Sequence, residues 1–406
     1  MNIILEELIK LSKFKEYEEE INKKNSPITI SGLSDVGKVQ FIAATYEVTK
    51  KPICIVTHNE IQAKNIIKNL SYFEKNISYF PKREIVAYDF ISESKELPFE
   101  RIDILNRLKE GKEKIIVTTA EAIMQKMIAK KELYKNILNI KVGDSYNLYV
   151  IKEKLIMLGY EREDLAESRG QFSIRGGIVD IALNNKTGIR IEFWGDDVDS
   201  IREFNLSSQR SETMLEKAII YPAHELLLED DLNEIADRIS EYNINDNIDN
   251  IKNRETKINL EKLKEIKNQD IEAIREGDYL NKIDKYFNSF YTKQSTFLDY
   301  LSDIFLIMFD EYSKVKQRQE NIIIENNNLI KSLIEKDRYV PQAIENISEY
   351  KYDYEEKQIV YIEKQDIGLA KTSSTKFVFN YRDVNYFKSE TEILFEDIKK
   401  HLSYLF

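Results

Sequence analysis

Gly32-Leu-Ser-Asp-Val-Gly37-Lys38-Val39 is the segment whose residue types and spacing come nearest to a known chemistry. The pattern G-x-x-x-x-G-K cradles phosphates: backbone N–H groups and a helix N-terminus receive the anion, and the lysine neutralises charge. A following Ser or Thr hydroxyl normally ligates Mg²⁺, but Val39 stands there, and a methyl group cannot serve a cation that wants oxygen. Asp35 adds a negative charge inside a loop built for anions. Far downstream, Asp310-Glu311 follow the apolar run Leu301–Phe309, as the acidic pair of such a pocket would. Gly32, Gly37, Lys38, Asp310 and Glu311 therefore form a vestigial nucleotide pocket. Three uses are open to it, in descending order: a structural turn, nucleotide binding without turnover, and hydrolysis. No catalytic residue is assigned.

A second group lies between Arg169 and Trp194. Phe172 and Ile174 alternate with Gln171, Ser173 and Arg175; Ile189, Ile191 and Phe193 alternate with Arg190, Glu192 and Trp194. A period of two marks strands with one buried face. With the aliphatic set inward, Arg175, Arg190 and Trp194, the chain's one tryptophan, point to water. Trp and Arg are enriched at protein–protein hot spots, so this face reads as a docking surface. Asp180 and Arg210 read as structural ion-pair partners.

The elements that must position these groups follow from the patterning. Strands at Pro27–Ser31, Pro52–Thr57, Ile77–Phe80 and Lys114–Thr119 alternate with helices from Lys38, Glu60 and Ala120, which predicts a parallel sheet covered on both faces. From Lys141 to Tyr221, short alternating strands are punctuated by Gly143-Asp144, Gly176-Gly177, Asn184-Asn185 and Gly195-Asp196, with one helix at Ile151–Leu158. Beyond Leu228 the chain is polar, with helices at Leu260–Ile274 and Tyr279–Phe287, a buried strand at Leu301–Phe309 and a helix from Asp383 to Phe406. The expected fold class is α/β. A parallel-sheet domain (1–135 and 222–382) is split by a small β-rich domain (136–221), and 383–406 lead toward a further domain of a longer parent.

Composition sets the outer bounds. The 406 residues exceed one ordinary core. A net charge of −11 argues against sequence-independent duplex binding through a broad basic surface. The single cysteine, Cys54, sits in an apolar strand and permits no internal disulfide, as expected for a cytoplasmic protein. His58, His224 and His401 are too scattered for a zinc site. No apolar run approaches the ~20 residues of a membrane span.

Together, Gly32–Lys38, Ser168–Asp180, Phe193–Arg202, Ser208–Arg210 and Pro222–Glu225 resemble the N-terminal, UvrB-homologous module of the bacterial transcription-repair coupling factor (Mfd) family. The Arg169–Arg210 block is the specific part; residues 229–380 match only by pattern. The resemblance implies a split helicase-like α/β domain interrupted by a UvrA-binding domain, with Arg175, Arg190 and Trp194 as the UvrA contact. It also implies an ATP-driven DNA translocase as the parent. The Mg²⁺-dependent motor, the contacts to RNA polymerase and DNA, and an autoinhibitory C-terminal domain would all lie downstream. No cofactor is expected within this chain. Lys38 departs from a family whose members usually lack that lysine. The competing resemblance, to UvrB itself as an ATP-dependent damage-verification helicase, requires a long aromatic hairpin, for which Tyr88–Leu97 leave no room.

Overall fold

The computed structural model describes residues 2–84, 97–228, 230–241, 259–279, 282–336, 357–364 and 375–381, with 395, 396 and 399. Seven parallel strands form the principal sheet, in the order Thr375–Val378, Ile28–Ser31, Gln358–Glu363, Leu306–Asp310, Ile53–Thr57, Ile115–Thr119, Ile77–Phe80. The central strands are buried along their whole length because helices cover both faces. Period-two alternation divides each strand between two cores. Ile53, Ile55, Ile115, Val117, Leu306 and Met308 join helices Ile3–Lys10, Ser12–Asn22 and Asp35–Thr49 on one side. Cys54, Val56, Ile116, Ile307 and Phe309 meet Leu97–Lys109, Leu232–Ser240, Leu260–Arg275 and Tyr312–Glu335 on the other.

Between the two groups of parallel strands the chain builds a six-stranded, mainly antiparallel sheet. Its order is Ser211–Leu215, Asp197–Asn205, Thr187–Trp194, Ile178–Ala182, Gln171–Arg175, Glu161–Arg162. One face packs on helix Leu148–Met157 through Phe172, Val179, Ile181, Ile191 and Ile201. The chain enters and leaves this region along an antiparallel pair, Leu138–Lys141 with Lys217–Ile220. All four Gly- and Asn-marked punctuation points fall at turns or bends.

Several expected boundaries are corrected. The first sheet-covering helix begins at Asp35, not Lys38, because the Ser34 hydroxyl accepts from Gly37 N–H and caps it. In Tyr279–Phe287, turns occupy 283–286 and the helix is only Phe287–Phe290. Leu301–Phe309 supplies a strand only from Leu306, since Leu301 closes the short helix Phe297–Tyr300. The strands Gln358–Glu363 and Thr375–Val378 escaped the pattern reading. Of the helix expected at 383–406, only residues 395, 396 and 399 are described, all helical; residues 88–96 of the hairpin argument also lie outside the described residues.

Candidate functional sites

At the carboxyl ends of the parallel strands, the structure brings the phosphate-loop lysine and the acidic pair together. Lys38 Nζ is buried, 2.7 Å from Asp310, 3.3 Å from Glu311 and 3.2 Å from Asp35. The Gln62 amide donates to the second Asp310 oxygen at 2.8 Å. Glu311 also pairs with Lys314 and Lys364, and Asp35 with Lys364. Burial works to lower the Lys38 pKa, yet Asp310, Glu311 and Asp35 together hold it above the ordinary lysine value. Burial likewise opposes ionisation of Glu311, but Lys314 and Lys38 keep its carboxyl below the ordinary value.

The lysine faces the acids. Asp35, in the first turn, places a carboxylate at the positive end of the helix, where an anion would otherwise be favoured. The two glycines are accounted for by packing. Gly32 has φ +77°, and a Cβ there would lie 1.8 Å from the Phe379 carbonyl oxygen. A Cβ on Gly37 would come within 2.6 Å of the Tyr381 ring. Tyr381 and Phe379 are pinned there by backbone hydrogen bonds to Gly32 and Ser31. Ser31 and Val39 are buried at this end of the sheet, the Ser31 hydroxyl having no hydrogen-bond partner among the described residues.

The second site lies on the face of the antiparallel sheet turned away from helix Leu148–Met157. Trp194 ends its strand at the Gly195-Asp196 turn and is 84% exposed, as parity predicts. Arg175 lies on the same face with its side chain 48% exposed. Arg190 corrects the expectation: it belongs to this face but does not point freely to water, its side chain being only 15% exposed. Its Nε donates to Asp180 Oδ1 at 2.6 Å, Nη2 to Asp180 Oδ2 at 3.0 Å and Nη1 to the Gln209 carbonyl at 3.2 Å. The guanidinium also stacks 4.8 Å over Phe204. Asp180, fully buried and directly across the ladder from Arg190, accepts a further bond from Arg175 Nη2 at 2.7 Å. It is the structural ion-pair partner expected from sequence, and it serves both arginines at once. Arg202 and Ser200 share Glu192 on the next strands.

Two residues of the segments that carry the resemblance have a different place. Arg169 forks onto Asp103 of helix Leu97–Lys109 and stacks 4.6 Å over Phe99. Glu225, at the exit from the small domain, receives buried Arg101 from the same helix through both carboxylate oxygens, one at 2.8 Å. Arg101 and Asp103 carried no signal of their own in the sequence, since a charged residue two positions from another on a helix reads as solvated surface.

Residues 138–226 match the UvrB interaction domain family. What the fold and this match define is a module in which a mixed α/β parallel sheet carries a UvrB interaction domain. Relatives extend the likeness. The transcription-repair-coupling factor of Bacillus subtilis (strain 168) is 32% identical over 314 residues, covering 75% of this chain and 26% of that protein. The transcription-repair-coupling factor of Staphylococcus aureus (strain bovine RF122 / ET3-1) is 27% identical over 341 residues, 82% of this chain and 28% of that protein. That of Staphylococcus epidermidis (strain ATCC 12228 / FDA PCI 1200) is 28% identical over 332 residues, 80% and 27%. The chain is a relative of the transcription-repair-coupling factors, corresponding to their N-terminal UvrB-homologous module. It spans about a quarter of the length of the curated relatives it matches. They do not favour the alternative of a UvrB-like damage-verification helicase.

Proposed function

We propose that this module recruits UvrA, so that an RNA polymerase stalled on damaged DNA is coupled to nucleotide excision repair. The recruiting surface is the outward face of the antiparallel sheet, with Trp194 as anchor, Arg175 beside it and Arg190 holding the guanidinium network together. The observation that carries the reading is an indole 84% exposed at a strand end within the residues that match the UvrB interaction domain. A large aromatic left in water is costly unless a partner's pocket receives it, and such anchors dominate interface energies.

The parallel-sheet domain is read as a helicase-like fold whose phosphate loop has decayed into a scaffold, taking neither nucleotide nor Mg²⁺. The inward pairing of Lys38 supports this, as does Val39 in the hydroxyl position. The parent protein is read as a cytoplasmic ATP-driven DNA translocase. Its motor, polymerase and DNA contacts, and a C-terminal segment that masks the UvrA face, would belong to the three quarters of the relatives outside this match. Among the described residues no helix is long and apolar enough to cross a membrane.

Titration of immobilised UvrA with the wild type and Trp194→Ala tests the proposal. The variant is expected to lose roughly 2 kcal/mol or more of binding free energy, about thirtyfold in Kd. Undiminished binding by a correctly folded variant refutes it. Comparing the affinity of this chain with that of the full-length protein tests masking, and equal affinities would dispose of it.

A further inference from the structure

Asp180 is the one fully buried carboxylate on a sheet face that otherwise carries the exposed groups Trp194, Arg175 and Met214. A carboxylate is costly to remove from water unless it is paired and hydrogen-bonded. Here it is covered by the two arginines themselves, which supply three charge-assisted bonds. The shared carboxylate sits on strand Ile178–Ala182, between the strand bearing Arg175 and the strand bearing Arg190, so the Arg175 bond crosses one ladder and the two Arg190 bonds cross the other. The two cations lie close together only because this anion lies between them. Arg190 spends its donors inward, while Arg175 keeps nearly half of its side chain in water.

Resting on the recruiting role proposed above, we infer that Asp180 is a positioning residue for UvrA binding. It holds Arg190 as a strut and fixes the outer edge of the Arg175 guanidinium where a partner carboxylate can meet it. One carboxylate between two guanidinium groups leaves a single net positive charge on this part of the face. The complementary partner surface therefore offers an anionic group opposite Arg175 together with an apolar slot for Trp194. Preorganisation is the gain: a free arginine loses rotamer freedom on binding, whereas this one has lost it already on folding.

The test combines binding with side-chain order in the whole chain. In Asp180→Asn, an amide replaces a carboxylate of the same shape, so one donor faces the guanidinium groups. UvrA affinity is expected to fall about tenfold in the wild-type background, the size of one lost charged hydrogen bond. The fall should largely vanish in the Arg175→Ala/Arg190→Ala background. The Nε–H NMR signals of Arg175 and Arg190 should lose order in the free variant. Asp180→Glu, which keeps the charge but shifts it by a methylene, should show a smaller loss of the same kind, and it remains informative if the amide variant fails to fold. Equal losses with and without the arginines, or unchanged arginine order, would overturn the positioning role. Wild-type-like binding by Asp180→Asn while Trp194→Ala binds poorly would overturn it too, leaving the recruiting surface standing. If wild-type chain binds no UvrA, the recruiting surface itself fails, and the inference resting on it goes as well.

Discussion

Replacing Lys38 by methionine isolates what the closed phosphate loop contributes. Methionine retains most of the buried alkyl volume, so the change is chiefly electrostatic. Three carboxylates lose a common cation held at 2.7, 3.3 and 3.2 Å. Breaking a buried pair by removing one partner costs about 3–5 kcal/mol. The loss here should lie near the lower end, about 3 kcal/mol, because Asp310 keeps the Gln62 amide and Glu311 keeps Lys314 and Lys364. The pH dependence has a definite sign. Lys38 is raised, so its contribution is complete below the unfolded lysine value and is lost only as pH rises through the higher folded one. Glu311 is depressed, so its contribution is present above the unfolded glutamate value and is lost as pH falls through the folded one. The deficit of the variant should therefore be greatest at neutral pH and shrink towards acid, as the stranded carboxylates take up protons. Cys54, buried in the interior strand Ile53–Thr57, reports opening of this sheet through its reactivity with a thiol reagent under denaturant. A variant within about 0.5 kcal/mol of wild type, the size of an ordinary surface substitution, would refute the reasoning. So would strong stabilisation of the wild type by Mg-ATP, which a bound ligand at a hundred times its Kd would supply at about 2.7 kcal/mol.

Further outcomes follow from the same contacts. Trp194→Ala should change melting by no more than about 0.5 kcal/mol, since the indole contributes little to any core; a large loss in calorimetry would mean it is structural. Arg101→Met leaves Glu225 buried beside Arg83 and should cost about 3–5 kcal/mol, whereas Asp103→Ala removes a carboxylate that is itself 41% exposed and should cost less in denaturant melts; comparable losses would contradict the burial argument. Burial, against the opposing charge of Glu225, lowers the pKa of His224. The unfolded state then takes up that proton first, so stability should fall as pH drops below about 6.5, and His224→Phe should flatten the slope between pH 6.5 and 5.

Parity located Trp194 because a strand's alternation is a local property that the side chains themselves encode. The same parity put Arg190 on the correct face but could not say that its neighbour across the ladder would be a buried acid. That pairing depends on register, which the hairpin turns set and composition does not. Lys38 and Asp310 are 272 residues apart, and each was legible as a motif. Their direct contact was not, because the motif describes residues that face a ligand and says nothing of how they meet each other. Gln358–Glu363 was missed for a different reason: a four-residue apolar run, Ile359–Ile362, isolated from any further α/β alternation, gives no period to read.

The two sites are related by how the chain spends its charged groups. At the sheet ends Lys38 meets Asp310, Glu311 and Asp35, and Tyr381 and Phe379 hydrogen-bond back onto the backbone of Gly32 and Ser31. Such an arrangement makes a stiff platform, since opening it would strand buried ions. Helix Leu97–Lys109 makes two neighbouring links toward the small domain, through Asp103 to Arg169 and through Arg101 to Glu225. On the small domain the balance is left incomplete: Asp180 answers for two arginines, and the indole beside them has no cover. Charge satisfied inside and left over on one face is what a recruiting module requires, because a partner gains only from groups the fold has not already used.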